Sequence, residues 1–287
     1  MVSPTSGHRT LLGLEMRISR SPCGPGTVRV VCSLAMGTTY PAPPIPSAPR
    51  WALLPPIRHH GPMAAAESSV TIPVGDLEVS GAYARPDRPF ATLVVAHGAG
   101  AGMEHPFLSG LTQALNDDGV ATLRFNFPYR EAGRKFPDRP PAAIATWRAA
   151  MEAAARLGTE HGDKGQLWAA GKSFGGRMAS MAVADGMDAA GLVYLGYPLH
   201  PPGKPEKLRD AHLYGLTLPM LFLQGTRDTF ATPELLRDVV SRIGKSAVLE
   251  CIEGGDHSFA VPGTKRGAAE IGASLAPAVA EFMRNRR

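Results

Sequence analysis

Nowhere in the 287 residues is there an apolar run approaching the roughly 18 needed to cross a bilayer as a helix, so no membrane span is expected. Cysteine is scarce. Cys23, Cys32 and Cys251 are the only three, too few and too scattered for a disulfide framework or a paired metal-ligand spacing. That usage fits a reducing, cytoplasmic setting, with no metal or cofactor expected. Residues 1–62 contain six arginines but no lysine and a single acid, Glu15. The remaining chain holds equal numbers of basic and acidic residues, so the formal net charge of +5 belongs to the first segment. A nucleic-acid footprint requires a basic folded face, and this distribution argues against one. No internal repeat of fixed period is present.

Proline and glycine are abundant, and their placement divides the chain. Runs such as Pro41-Ala42-Pro43-Pro44-Ile45-Pro46 remove backbone donors and favour extended chain. Residues 1–62 therefore read as a disordered or non-native extension. Three origins fit: sequence upstream of a start at Met63, an arginine-rich organelle presequence, or a disordered tail. The short apolar patch Val28 to Met36 lacks a small-x-small cleavage site, which argues against a secretory signal.

From Met63 onward, over 63–287, the pattern becomes that of one folded domain. Ser69 to Pro73 and Leu77 to Ala84 alternate around Gly75-Asp76 and read as a hairpin. Apolar strands are expected at Phe90–Ala96, Val120–Phe127, Leu167–Ala170, Gly191–Leu195, Met220–Gln224 and Ala247–Ile252. Helices are expected at Pro106–Asn116, Ala142–Leu157, Arg177–Asp185, Pro233–Ile243 and Arg266–Met283. Strands apolar throughout, alternating with amphipathic helices, indicate an α/β fold with a mostly parallel sheet covered on both faces.

In such a sheet ligands gather beyond the carboxyl ends of the strands. Gly171-Lys172-Ser173-Phe174-Gly175-Gly176 lies between a strand and a helix, the setting of a Gly-x-Ser-x-Gly nucleophile elbow. Asp228 follows the strand ending at Gln224, and His257 follows the strand ending at Ile252. A serine hydroxyl needs a base to take its proton, and the imidazole needs a carboxylate to fix its tautomer. Ser173, His257 and Asp228 supply these roles in the chain order Ser, Asp, His. Asp256 is a rival acid, poorly placed by its adjacency to His257. The Phe174 N–H and, after Phe90–Ala96, the Ala99 N–H of His97-Gly98-Ala99-Gly100 are candidate oxyanion donors. That glycine loop lacks the Lys-Ser/Thr ending of a phosphate-binding loop. His97 reads as structural, and His105 as a helix opener.

These residues resemble the α/β-hydrolase superfamily, with dienelactone-hydrolase-like enzymes as distant relatives. His97–Gly100, Phe125-Asn126-Phe127-Pro128-Tyr129, the stretch from Gly196 to Pro205 and Asp256–Phe259 further resemble a group of bacterial predicted hydrolases related to the hydrolase-like domain of an NSL-complex regulatory subunit. The resemblance implies a three-layer α/β-hydrolase fold and a serine hydrolase for a small ester, thioester or related acyl bond. It equally admits a non-catalytic scaffold that binds a protein partner. Perhydrolysis or carbon–carbon cleavage on the same triad is a third chemistry.

Only about twenty residues separate the strand ending at Leu195 from that starting at Met220, too few for a large helical cap. An open pocket with a minimal cap is expected, roofed by Pro198 to Leu213. Candidate substrate contacts are Gly98, Arg124, Tyr129 and His200. Arg124, with Arg130 and Arg134 nearby, would suit an acidic group through its bidentate fork. The competing reading of these arginines is an ion pair with Glu131 or Asp138. Lys172 reads as solvent-facing or paired with an acid.

Overall fold

The computed structural model describes residues 65–286 and, ahead of them, the short strand β1 (Thr27–Val28). The hairpin comprises β2 (Glu67–Val74) and β3 (Leu77–Ala84), joined at Gly75-Asp76, with Val74 opposite Leu77. The remaining strands are β4 (Ala91–Ala96), β5 (Val120–Phe125), β6 (Gln166–Lys172), β7 (Leu192–Leu195), β8 (Met220–Gly225) and β9 (Ala247–Ile252). They form a single sheet in the order β1-β9-β8-β7-β6-β4-β5-β3-β2. From β5 across to β9 every pairing is parallel; β2, β3 and β1 join antiparallel at the two edges. Thr27 and Val28 pair with Ile252 and Cys251, so this part of the extension adds to the sheet. The rest of the reading of 1–62, with Cys23 and Cys32, lies outside the described residues.

The alternation of strand side chains explains the layers. On β4, Leu93 and Val95 face one core, with Phe107, Leu111, Val279 and Met283; Val94 and Ala96 face the other, with Trp147, Met178 and Leu236. Helices α1 (Pro106–Asp117), α6 (Ala268–Ala273) and α7 (Ala276–Arg284) cover the first face. Helices α3 (Pro140–Glu160), α4 (Phe174–Ala184) and α5 (Pro233–Ile243) cover the second. Each fully buried Leu, Val or Phe contributes roughly 1.5–3 kcal/mol relative to exposure, so both apolar faces of the sheet must be covered.

Most element boundaries differ from the sequence expectation by one to three residues, and two differences have a clear local cause. The strand expected to reach Phe127 ends at Phe125, because Pro128 opens a short helix, α2 (Pro128–Glu131), with Phe127 as its cap. The single helix expected over 266–283 is two, α6 and α7. Pro277 stands in the first turn of α7; in an unbroken helix its ring would collide with the carbonyl one turn earlier. Between β7 and β8 the only helical element among the described residues is the 3-10 turn Ala211–Gly215, so the cap is minimal.

Candidate active site

The turn between β6 and α4 places Ser173 at the sheet's carboxyl edge with φ 50° and ψ −111°, in the left-handed region. This conformation is costly for a residue with a Cβ and persists only where its surroundings over-determine it. The surroundings are tight. A Cβ at Gly171 would lie 2.1 Å from the Gly176 nitrogen, and one at Gly176 would lie 2.6 Å from the Gly171 carbonyl oxygen. The Trp147 Nε1–H donates to the Gly175 carbonyl at 3.0 Å and braces the turn from α3.

The three chemistry-bearing side chains meet. His257 Nε2 is 2.9 Å from Ser173 Oγ, and its Nδ1 is 2.7 Å from Asp228 Oδ2. With Nδ1–H donating to the carboxylate, Nε2 is left to accept the serine proton. Asp228 is buried and held on both oxygens: Gln224 Nε2 donates to Oδ2 at 2.5 Å and the Phe230 N–H to Oδ1 at 2.8 Å. The Phe230 ring lies against the imidazole, centroids 4.3 Å apart. Asp256 is occupied elsewhere, its Oδ1 accepting the Ser258 and Ala260 N–H groups and shaping the histidine loop.

The Phe174 and Ala99 N–H groups donate no hydrogen bond to protein among the described residues. Phe174 is the first residue of α4, whose leading N–H groups lack intrahelical acceptors. The loop bearing Ala99 is held by three contacts. His97 Nδ1–H donates to the Gly98 carbonyl at 2.8 Å, His97 Nε2 accepts the Phe127 N–H at 3.2 Å, and the Tyr129 hydroxyl donates to the Ala99 carbonyl at 2.9 Å. Burial lowers the His97 pKa to about 4 and pushes the Tyr129 hydroxyl up to about 12, so both stay neutral at pH 7. Gly98 lies against Ser173, where a Cβ would be 3.8 Å from the serine Cβ. His105 caps α1, Nδ1 accepting the Phe107 N–H.

A cavity of about 670 Å³ opens over Ser173. It is lined by Gly98, Ala99 and Gly100 of the loop after β4, by the apolar Phe107, Leu108 and Ile271 of α1 and α6, and by Arg177, Pro198 and Arg209.

Three of the expected substrate contacts stand outside this cavity. Arg124 is buried on β5, its guanidinium donating to the Met103 carbonyl (2.8 Å), Ser109 Oγ (2.7 Å) and Glu67 (2.5 Å). An arginine so engaged ties β5 to the α1 approach and to β2. Arg134 pairs with Asp138 at 2.6 Å, as the competing reading of these arginines had it. Tyr129 acts on the Ala99 carbonyl from behind the loop. His200 is buried; its Nδ1–H donates to the Pro201 carbonyl (2.9 Å) and its Nε2 accepts the Thr232 N–H (3.3 Å), pinning the proline-rich loop to the segment bearing Asp228. Gly98 alone of the four lines the cavity.

Lys172 also departs from expectation. It lines the cavity, with its ammonium over the Phe259 ring at 5.6 Å and no hydrogen-bond partner among the described residues. Burial lowers its pKa to about 8, against the opposing pull of Asp228 and Asp256. Arg177, Arg209 and Phe230 were not singled out from sequence. Arg177 carried a usable signal: it lies four residues after Ser173, one helical turn along the same face.

A second serine–histidine contact, Ser180 Oγ to His212 Nε2 at 2.8 Å, lacks these features. Ser180 sits within regular helix α4, its hydroxyl also donates to the Arg177 carbonyl at 2.9 Å, and no carboxylate among the described residues bonds His212. It links α4 to the 3-10 turn.

Comparison with known proteins agrees with the fold. A dienelactone hydrolase from Anabaena variabilis is 19% identical and superposes with a TM-score of 0.61, covering 78% of this chain and 99% of that one. A lidless α/β serine hydrolase from Xanthomonas campestris is 18% identical, with a TM-score of 0.57, covering 76% and 94%. A cold-adapted esterase from an Arctic intertidal metagenomic library is 17% identical, with a TM-score of 0.56, covering 77% and 95%. The family model described as the alpha/beta hydrolase domain matches residues 89–284, from the approach to β4 through α7, and the chain belongs to that family.

Proposed function

We propose that the protein is a serine hydrolase that cleaves a small ester, thioester or related acyl bond through an acyl-enzyme. The observation that carries this reading is the continuous relay Ser173–His257–Asp228 opening onto the cavity. His257 Nε2 takes the proton as Ser173 Oγ attacks the acyl carbon. The Ala99 and Phe174 N–H groups receive the oxyanion, each contributing about 3–4 kcal/mol to transition-state stabilisation. The imidazolium, steadied by Asp228, then protonates the leaving group, and water activated by His257 releases the acid. Gln224 and Phe230 keep the carboxylate aimed at Nδ1, and Tyr129 and His97 hold the Ala99 loop in place. The likeness to the NSL-related hydrolase group and a cytoplasmic location belong to this same reading. No helix among the described residues is long and apolar enough to cross a membrane.

The test is labelling with a fluorophosphonate probe, followed by turnover of short p-nitrophenyl esters. Labelling of the wild type and its loss in Ser173→Ala are expected, with ester hydrolysis falling by at least about a thousandfold. Absence of Ser173-dependent labelling in a folded protein would replace this reading with the partner-binding scaffold.

A further inference from the structure

We infer that the substrate carries a carboxylate and that Arg177 and Arg209 hold it against one wall of the cavity. This rests on the hydrolase reading and adds the chemical class to it. Three cations, Lys172, Arg177 and Arg209, line the cavity beside Ser173, and among the described residues no aspartate or glutamate lines it. Neither arginine makes an ion pair or a side-chain hydrogen bond with protein among the described residues. The Arg177 Nε is buried with no acceptor among the described residues. Leaving a buried charged donor unpaired is costly.

Like charge sharpens the point. Burial lowers the Arg177 pKa, and the charge of Arg209 lowers it further, against the pull of Tyr197. Asp210, next to Arg209 in the chain, accepts the Tyr214 hydroxyl and pairs with neither arginine among the described residues. The segment carrying Arg209 is fastened in place, since Tyr197 Oη donates to the Arg209 carbonyl at 2.6 Å. Lining one cavity with no side-chain partner among the described residues, the two guanidiniums offer donors of the kind that match both oxygens of a carboxylate. Arg177 stands one turn into the helix that begins at the oxyanion donor Phe174, so an anion there belongs to the same bound molecule as the scissile bond. The apolar lining of Phe107, Leu108 and Ile271 accommodates the apolar part of that molecule.

The experiment is calorimetric binding to the full chain carrying Ser173→Ala, which binds esters without turning them over. The probes are monomethyl glutarate and its neutral near-isostere methyl pentanoate. The hemi-ester is expected to bind about tenfold or more tightly than the neutral ester, as charge-assisted hydrogen bonds imply. Its affinity should fall as salt rises, while that of the neutral ester stays level. Adding Arg177→Met or Arg209→Met should remove the preference, and Arg177→Lys should restore part of it. Melting temperatures identify any variant that fails to fold, and the salt dependence needs no arginine variant. Equal binding of the two probes, or a preference untouched in both arginine variants, would overturn the inference. Absence of fluorophosphonate labelling in the wild type would instead count against the hydrolase reading and leave the carboxylate site measurable.

Discussion

At the scale of single residues, the site depends on side chains that never touch the cavity. His97 is wholly buried beneath the Ala99 loop and works as a neutral imidazole, one nitrogen donating and the other accepting. Its folded-state pKa, about 4, lies below the ordinary 6.5. Between those values the unfolded chain binds a proton that the folded chain refuses, so stability falls as pH falls through this window. At pH 5 the loss from this one group is expected to be about 2 kcal/mol relative to pH 7.5. Urea unfolding at the two pH values measures it, and His97→Gln should flatten the difference by that amount. The structural role of His97 was legible from its position just after an apolar strand. Arg124 was misread for a physical reason: an arginine near a strand's end looks available, and only the fold brings Glu67, Met103 and Ser109 around it.

At the scale of elements, one helix crossing sets the cavity's width. α1 and α6 contribute its apolar side and pack almost backbone to backbone. A Cβ at Gly272 would lie 1.9 Å from the Phe107 carbonyl oxygen, and one at Gly110 would lie 2.1 Å from the Ala269 carbonyl oxygen. Gly272→Ala must push α6 away from α1. A destabilisation of about 1–3 kcal/mol is expected from overpacking, checked by thermal melting. Because Ile271 precedes Gly272 and faces the cavity, KM for bulkier acyl chains should change more than for acetyl esters. Helix α5 and strand β9 were readable to the residue, because their caps and apolar periods agree with their tertiary surroundings. The break between α6 and α7 was missed because Ala-rich helical spacing continues across Pro277.

At the scale of the whole molecule, all of the sheet but β1, both cores and the candidate site lie within 65–286, and the matched family region spans 89–284. A chain shortened to 63–287 is expected to keep its fold and its Ser173 chemistry, losing only the two-residue pairing of β1 with β9. The change in unfolding free energy should be under about 2 kcal/mol, in keeping with the small net value of a few backbone hydrogen bonds. Denaturant titration of both chains checks it, and a larger loss would assign the extension a structural part. By itself the sequence determined the layered α/β fold and the strand ends at which serine, acid and histidine emerge. Strand hydrophobicity and turn residues are local properties, and chain order follows from them. Tertiary structure alone decided which polar groups face the cavity. Lys172 and Arg177 turned inward, while Arg124, Tyr129 and His200 became braces, because a side chain's partners come from segments distant in the chain. The loop that returns Arg209 beside Arg177 is one such meeting, and no local pattern announces it.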